Sequence, residues 1–163
     1  MVEMTLASIR VQLPDNVPVV LLKEVGDGAR TLPILIGHEE ATSIARAIQG
    51  QNPPRPLTHD LMKNLLDGLD ITVEAVVITE LVDAIFFAEI RLRRAGELIT
   101  ISSRPSDAIA LAVRTGTTIY ADDALIDAEG MVVESGADGE DPDQVIEDFQ
   151  RFVAEVRPED FAS

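Results

Sequence analysis

The chain has 163 residues, 46% of them apolar, which is the length of one domain with enough hydrophobic side chain to build a core. It contains no cysteine and only two histidines, His38 and His59, so disulfide frameworks and thiolate metal sites are excluded. The net charge of −16 is uneven: residues 1–120 carry 15 acidic and 11 basic side chains, a net of −4, whereas residues 121–163 carry 14 acidic and 2 basic, a net of −12.

The N-terminus, Met1 to Thr5, lacks a basic leader and an apolar run, and no apolar stretch approaches the length of a membrane span. The expected location is the cytoplasm, with no membrane partner. Thr5 to Leu13 alternates, with Ala7, Ile9, Val11 and Leu13 on one side, and predicts a half-buried strand that Pro14-Asp15-Asn16 ends. Pro18 to Val25 reads as a second strand, which Gly26-Asp27-Gly28 turns into a third, Arg30 to Ile36. His38 to Ile48 reads as a helix, with acid in its first turn and a stop near Gly50.

The prolines of Pro53-Pro54-Arg55-Pro56 predict a stiff connector, after which Thr58 is expected to cap a helix. Leu61, Leu65 and Leu69, with Met62 and Leu66, make its apolar stripe, and His59 and Asp60 fall outside that stripe. Strands follow over Ile71 to Glu80, Ile85 to Arg93 and Glu97 to Ser102. Arg104-Pro105 then opens a helix that Gly116 closes, and from Ala108 to Val113 every residue is apolar. Such a helix has no outward side, so it is expected to be buried against a sheet with its polar beginning, Arg104 to Asp107, delivered to one place on the surface. Thr117 to Ala121 reads as a last strand, Asp122 to Glu129 as a short helix or turn, and Ser135 to Asp143 as an acidic linker. Val145, Ile146, Phe149, Phe152, Val153 and Val156 give residues 143–157 the spacing of a docking C-terminal helix. The implied division is a body of residues 1–133 and a tail of residues 134–163.

Sliding the sequence by 67 residues lays Thr5 on Thr72, Ile9 on Val76, Ile34 on Ile101, Glu40 on Asp107 and Ile44 on Leu111. Strand, strand, strand and helix recur in phase, which predicts an α+β fold built from an internally duplicated βββα unit, its helices packed on one or two antiparallel or mixed sheets. A duplicated unit places Glu40 and Asp107 in one column, each in the first turn of its helix.

Three motifs occur in order: Leu32-Pro33-Ile34-Leu35-Ile36-Gly37 with Glu40-Ala41, Arg55-Pro56-Leu57-Thr58-His59-Asp60-Leu61, and Ser103-Arg104-Pro105-Ser106-Asp107-Ala108-Ile109-Ala110-Leu111-Ala112. On these the chain, over roughly Met4 to Gly130, resembles the bifunctional nuclease family. The resemblance implies an α+β domain that forms homo-oligomers and cleaves RNA and DNA, without covering the acidic tail. No organic cofactor is indicated. Nucleases commonly hold a divalent ion such as Mg or Mn on carboxylates, and Glu40 and Asp107 are the candidates for that ion.

Asp107, Glu40, His59 and Asp60 are the candidate catalytic groups, with His59 as general base. Arg104, Ser106, Arg55, Arg91 and Arg93 are the candidate substrate contacts. Each has a plainer reading beside it. First-turn acids satisfy helix dipoles, Arg104 pairs as well with a carboxylate as with phosphate, and His59, Asp60 and Arg55 could simply stabilise the Pro-rich loop. Arg91 and Arg93 could be the charged face of an edge strand. The alternative to a nuclease is a non-enzymatic regulatory or ligand-binding module whose polar mouth takes a small anion or a protein's acidic group.

Overall fold

The structure, a computed structural model, describes residues 1–26 and 30–132; the expected acidic linker and C-terminal helix, and most of the Gly26-Asp27-Gly28 turn, lie outside the described residues. In chain order the elements are β1 (Val2–Gln12), β2 (Val17–Glu24), β3 (Arg30–Leu35), α1 (His38–Ile48), α2 (Thr58–Gly68), β4 (Thr72–Val82), β5 (Ile85–Arg94), β6 (Glu97–Ser103), α3 (Pro105–Thr115), β7 (Ile119–Ala121), α4 (Asp123–Glu129) and β8 (Met131–Val132). The strands join in one eight-stranded sheet of order β6-β5-β4-β7-β1-β2-β3-β8. It is mixed because β7 runs parallel to β4 and antiparallel to β1. The fold is therefore α+β, with a single sheet.

Two antiparallel meanders, β1 to β3 and β4 to β6, flank β7, and each is followed by a helix. The 67-residue offset carries His38–Ile48 onto Pro105–Thr115 end to end. It also carries the irregularity between Leu6 and Ser8 in β1 onto that between Val73 and Ala75 in β4. A bulge strengthens local twist, so both meanders curl at the same register position.

The core is the aliphatic face of this sheet under α1 and α3. Val20, Leu22, Leu32, Ile34, Val76 and Ile78 from the strands meet Ile44 from α1 and Ile109 and Leu111 from α3, and all are essentially inaccessible. In α3, Ala108 through Ala112 are buried without exception, as an all-apolar run requires. Alanines at 108, 110 and 112 let this helix approach its neighbours closely. Gly116, at φ +69°, supplies the left-handed residue that ends it, a conformation that strains any residue with a Cβ.

Helix α2 departs from expectation. Leu57 occupies the N-cap position, and the capping oxygen comes from Asp60, whose Oδ2 accepts the Leu57 backbone N–H at 2.9 Å, so Thr58 is not the cap. Leu61, Leu65 and Leu69 are 49%, 55% and 52% exposed and form an outward row, while Met62 and Leu66 pack against the core. His59, expected outside the apolar stripe, is buried. The inner face runs through His59, Met62 and Leu66, because α2 docks on α3 through polar bonds at its N-terminus. Asp60 Oδ1 accepts from Arg114 Nε at 2.6 Å, and Arg114 also donates from Nη1 to the Ala110 carbonyl at 2.9 Å and from Nη2 to the Ser43 carbonyl at 3.1 Å. Hydrogen bonds from Arg114 hold the Asp60 carboxyl below the usual range against the opposing effect of burial, assisted by the Leu57 N–H.

Two measurements check this packing. Ile109→Ala should cost about 2–5 kcal/mol in denaturant unfolding, whereas Leu65→Ala on the outward row should stay within about 0.5 kcal/mol. Because the folded pKa of Asp60 is depressed, its contribution is complete above the unfolded value of about 3.9 and is lost as pH falls through the folded one. Asp60→Asn should accordingly be roughly 2 kcal/mol less stable at neutral pH, with a shallower acid limb in a stability-versus-pH series.

Candidate active site

Helices α1 and α3 begin side by side, and their first turns supply the charged groups. Gly37 is the N-cap of α1, in extended conformation, and a Cβ there would collide with the carboxylate of Glu40, which folds back over the helix start. Arg104 is the N-cap of α3, extended as the residue before proline must be, and Pro105 opens the helix. Its guanidinium forks onto Asp107, with Nε donating to Oδ2 at 2.7 Å and Nη2 to Oδ1 at 3.1 Å. Nη1 lies 3.0 Å from Glu40 Oε1, so one arginine joins the two first-turn acids.

The cluster is graded in exposure. The Arg104 side chain is 65% exposed, those of Asp107 and Glu40 are 25% and 18% exposed, and that of His59 only 9%. His59 comes up from beneath, with Nε2 3.0 Å from Asp107 Oδ1 and Nδ1 2.8 Å from Ser43 Oγ. Burial raises the Asp107 pKa, but hydrogen bonds from Arg104 and His59, with the Arg104 charge, outweigh it and leave the carboxyl below its ordinary value. Asp107 is therefore an ionised acceptor at neutral pH. The same contact with Asp107, then Glu40, raises the Arg104 pKa.

The arrangement brings together Glu40, His59, Arg104 and Asp107, four of the residues singled out from sequence. It does not bring in the others. Asp60 faces Arg114 and Leu57 on the far side of α2's first turn. Ser106 is buried, so its hydroxyl is withheld from any substrate in this conformation. Arg55 is exposed in the connector and makes no hydrogen bond or ion pair among the described residues. Arg93 pairs with Glu74 and Arg91 approaches Glu89, both along the sheet. Their strand β5 lies between β4 and β6 and is not an edge, which removes the charged-edge explanation.

As for a divalent ion, the space between Glu40 and Asp107 is filled by the Arg104 guanidinium. Among the described residues no three His, Asp or Glu side chains converge to hold a metal. The donor set as arranged does not fit an ion shared by these two acids. Nor are both ring nitrogens of His59 free for a general base, since each already has a partner.

Two participants escaped the sequence reading, Ser43 and Arg114. Arg114 carried a usable signal: it is the one charge after the apolar run of α3, and seven residues from Asp107 places it on the same helix face two turns below. Ser43 stands likewise one turn beyond Glu40.

The bifunctional nuclease domain matches residues 20–134, well over half of the chain. An uncharacterized protein of Mycobacterium tuberculosis is 41% identical over 163 residues, spanning 98% of this chain and 97% of that protein. Bifunctional nuclease 1 of Arabidopsis thaliana is 33% identical over 131 residues, spanning 76% of this chain and 40% of the plant protein. Bifunctional nuclease 2 of rice (Oryza sativa subsp. japonica) is 29% identical over 124 residues, spanning 73% of this chain and 38% of its own. Glu40, His59, Arg104 and Asp107 all lie within the matched segment, and the chain belongs to the bifunctional nuclease domain family.

Proposed function

We propose that the chain hydrolyses phosphodiester bonds of RNA or DNA at the joined N-termini of α1 and α3. The observation that supports this reading is the position of Arg104 in a member of this family: a mostly exposed guanidinium, oriented by two ionisable acids at the start of two helices. A guanidinium has five N–H groups. Three directions are taken by Asp107 and Glu40, which leaves N–H groups for a phosphate oxygen. Backbone N–H groups of the first turns add a positive potential at the same place. Asp107, ionised and partly exposed, accepts a hydrogen bond from the attacking water and aligns it with the bound phosphorus. Its depressed pKa makes it a weak proton acceptor, so its part is orientation more than proton removal. The proton of the attacking water passes to bulk solvent as the phosphorus–oxygen bond to the leaving oxygen breaks, and that oxygen takes a proton from solvent.

Nucleic acid approaching this cluster meets a body of net −4 and few clustered cations, so ground-state affinity rests on few phosphate contacts. Binding should then weaken only shallowly with salt, with a slope of about one to two in log–log form.

The decisive assay is cleavage of labelled single-stranded RNA and DNA by purified protein, with Mg2+, with Mn2+ and with chelator. Arg104→Ala and Asp107→Asn should each reduce the rate about 10²–10³-fold while far-ultraviolet circular dichroism is unchanged. Cleavage at the parental rate in both variants would assign the activity to a contaminant. Saturable nucleotide or phosphate binding without turnover would favour the module that binds an anion and catalyses nothing.

A further inference from the structure

A line of hydrogen bonds runs inward from the exposed cluster through all three long helices. Asp60 and His59 come from α2, Arg114 and Asp107 from α3, and Ser43 from α1. Asp60 Oδ1 holds Arg114 Nε at 2.6 Å, Arg114 Nη2 donates to Ser43 Oγ at 3.1 Å, Ser43 Oγ lies 2.8 Å from His59 Nδ1, and His59 Nε2 lies 3.0 Å from Asp107 Oδ1. The two ends fix the outer bonds of this line, and the charge of the ring fixes the bond between Ser43 and His59. Arginine only donates, so Ser43 Oγ is an acceptor toward Arg114. An ionised carboxylate only accepts, so His59 Nε2 must carry the hydrogen that faces Asp107. A neutral imidazole then has a lone pair at Nδ1, and the Ser43 hydroxyl, with one lone pair already used by Arg114, supplies the proton that meets it.

We infer that Ser43 and Arg114 are positioning residues that hold His59 as the neutral Nε2–H tautomer, making it a fixed hydrogen-bond donor to Asp107 and not a base. Asp60 belongs to the same device, because it anchors the guanidinium that orients Ser43. A structural ion pair between Asp60 and Arg114 alone does not require the serine. What singles out the serine is that Arg114 reaches its carbonyl and its hydroxyl together, which occupies one lone pair of the hydroxyl and holds the serine beside the ring. The effect on Asp107 is geometric: Oδ1 receives both His59 and Arg104, so the carboxylate plane cannot rotate without breaking three bonds.

The catalytic meaning of this relay rests on the proposed function, but its test does not. The chain has two histidines, so a long-range nitrogen–proton correlation spectrum of uniformly labelled full-length protein at neutral pH shows two rings, and His38→Gln leaves only His59. The expected spectrum has a pyrrole-like Nε2 and a pyridine-like Nδ1 on His59. Ser43→Ala should move the Nδ1 resonance away from its hydrogen-bonded position while Nε2, still facing Asp107, stays pyrrole-like, and Ser43→Thr, which restores a hydroxyl, should return Nδ1. A parental ring protonated at Nδ1, or one already averaged, overturns the assignment, and this reading of the unsubstituted side chain at position 43 needs no variant to fold. If Ser43→Ala folds and leaves the spectrum unchanged, Ser43 has no part in setting the tautomer. Where cleavage is measured, Ser43→Ala should lower kcat about 10–100-fold with KM nearly constant. Absence of cleavage in every form would remove the proposed function and leave the tautomer result intact.

Discussion

Everything near the charged cluster depends on burying α3. A helix that is apolar all round has no stable place except between the sheet and its neighbours, and there its direction is dictated by the strand that feeds it. β6 ends at Ser103 and α3 starts at Pro105, so a single residue, Arg104, makes the corner. The pre-proline restriction holds that corner extended. Arg104 is thus carried to the rim by backbone geometry, and its side chain has to find its partners from there. It finds one acid on its own helix and one on α1, which packs alongside.

The outline of the fold was legible because it rests on strong local periodicities. The capping punctuation of α3 and the uninterrupted Ala108–Val113 run exceed what competing structures could satisfy, and the structure follows them closely. In β1, by contrast, the alternation holds only for Ile9 and Val11: the irregularity between Leu6 and Ser8 breaks its phase and leaves Ala7 exposed, and Leu13 lies beyond the strand. Glu40 and Asp107, which the 67-residue offset puts in one column, each contact the Arg104 guanidinium that lies between them. The existence of helix α2 was legible but its facing was not, and the reason is physical. An amphipathic pattern says which side chains prefer burial, and at α2 it was overridden by a polar contact of specific geometry. Arg114, with only 7% of its side chain exposed, needs Asp60, and satisfying it turns His59 inward and Leu61, Leu65 and Leu69 outward. A buried charge that lacks a partner costs more than several half-exposed leucines recover.

The same competition explains why residue type misled at the site. Ser106, His59 and Asp60 look chemically capable in sequence, and serine, histidine and aspartate are also the residues that satisfy helix beginnings and buried polar groups. Ser106 went into the core, Asp60 into an ion pair with a capping bond, and His59 into a relay whose nitrogens are both used. Which of two such fates a residue meets depends on what lies opposite it across helices that are far apart in sequence. Ser43 and Asp107 are 64 positions apart, and neither predicts the other without the packing of α1 on α3.

On the proposed reading, pairing one arginine with two carboxylates has a consequence for catalysis. A guanidinium alone on a surface would bind any phosphate, and tight uniform binding of substrate does not accelerate hydrolysis. Partial neutralisation by Glu40 and Asp107 weakens that ground-state attraction. It also costs little at the transition state, where the phosphoryl oxygens carry more charge and the oriented N–H groups are already in place. Gly37 lies beside this balance, because its missing side chain leaves room for Glu40 Oε2 while Oε1 reaches Arg104. A Cβ at position 37 would displace the Oε2 end of the flexible Glu40 side chain and so change the angle at which that carboxylate meets the guanidinium.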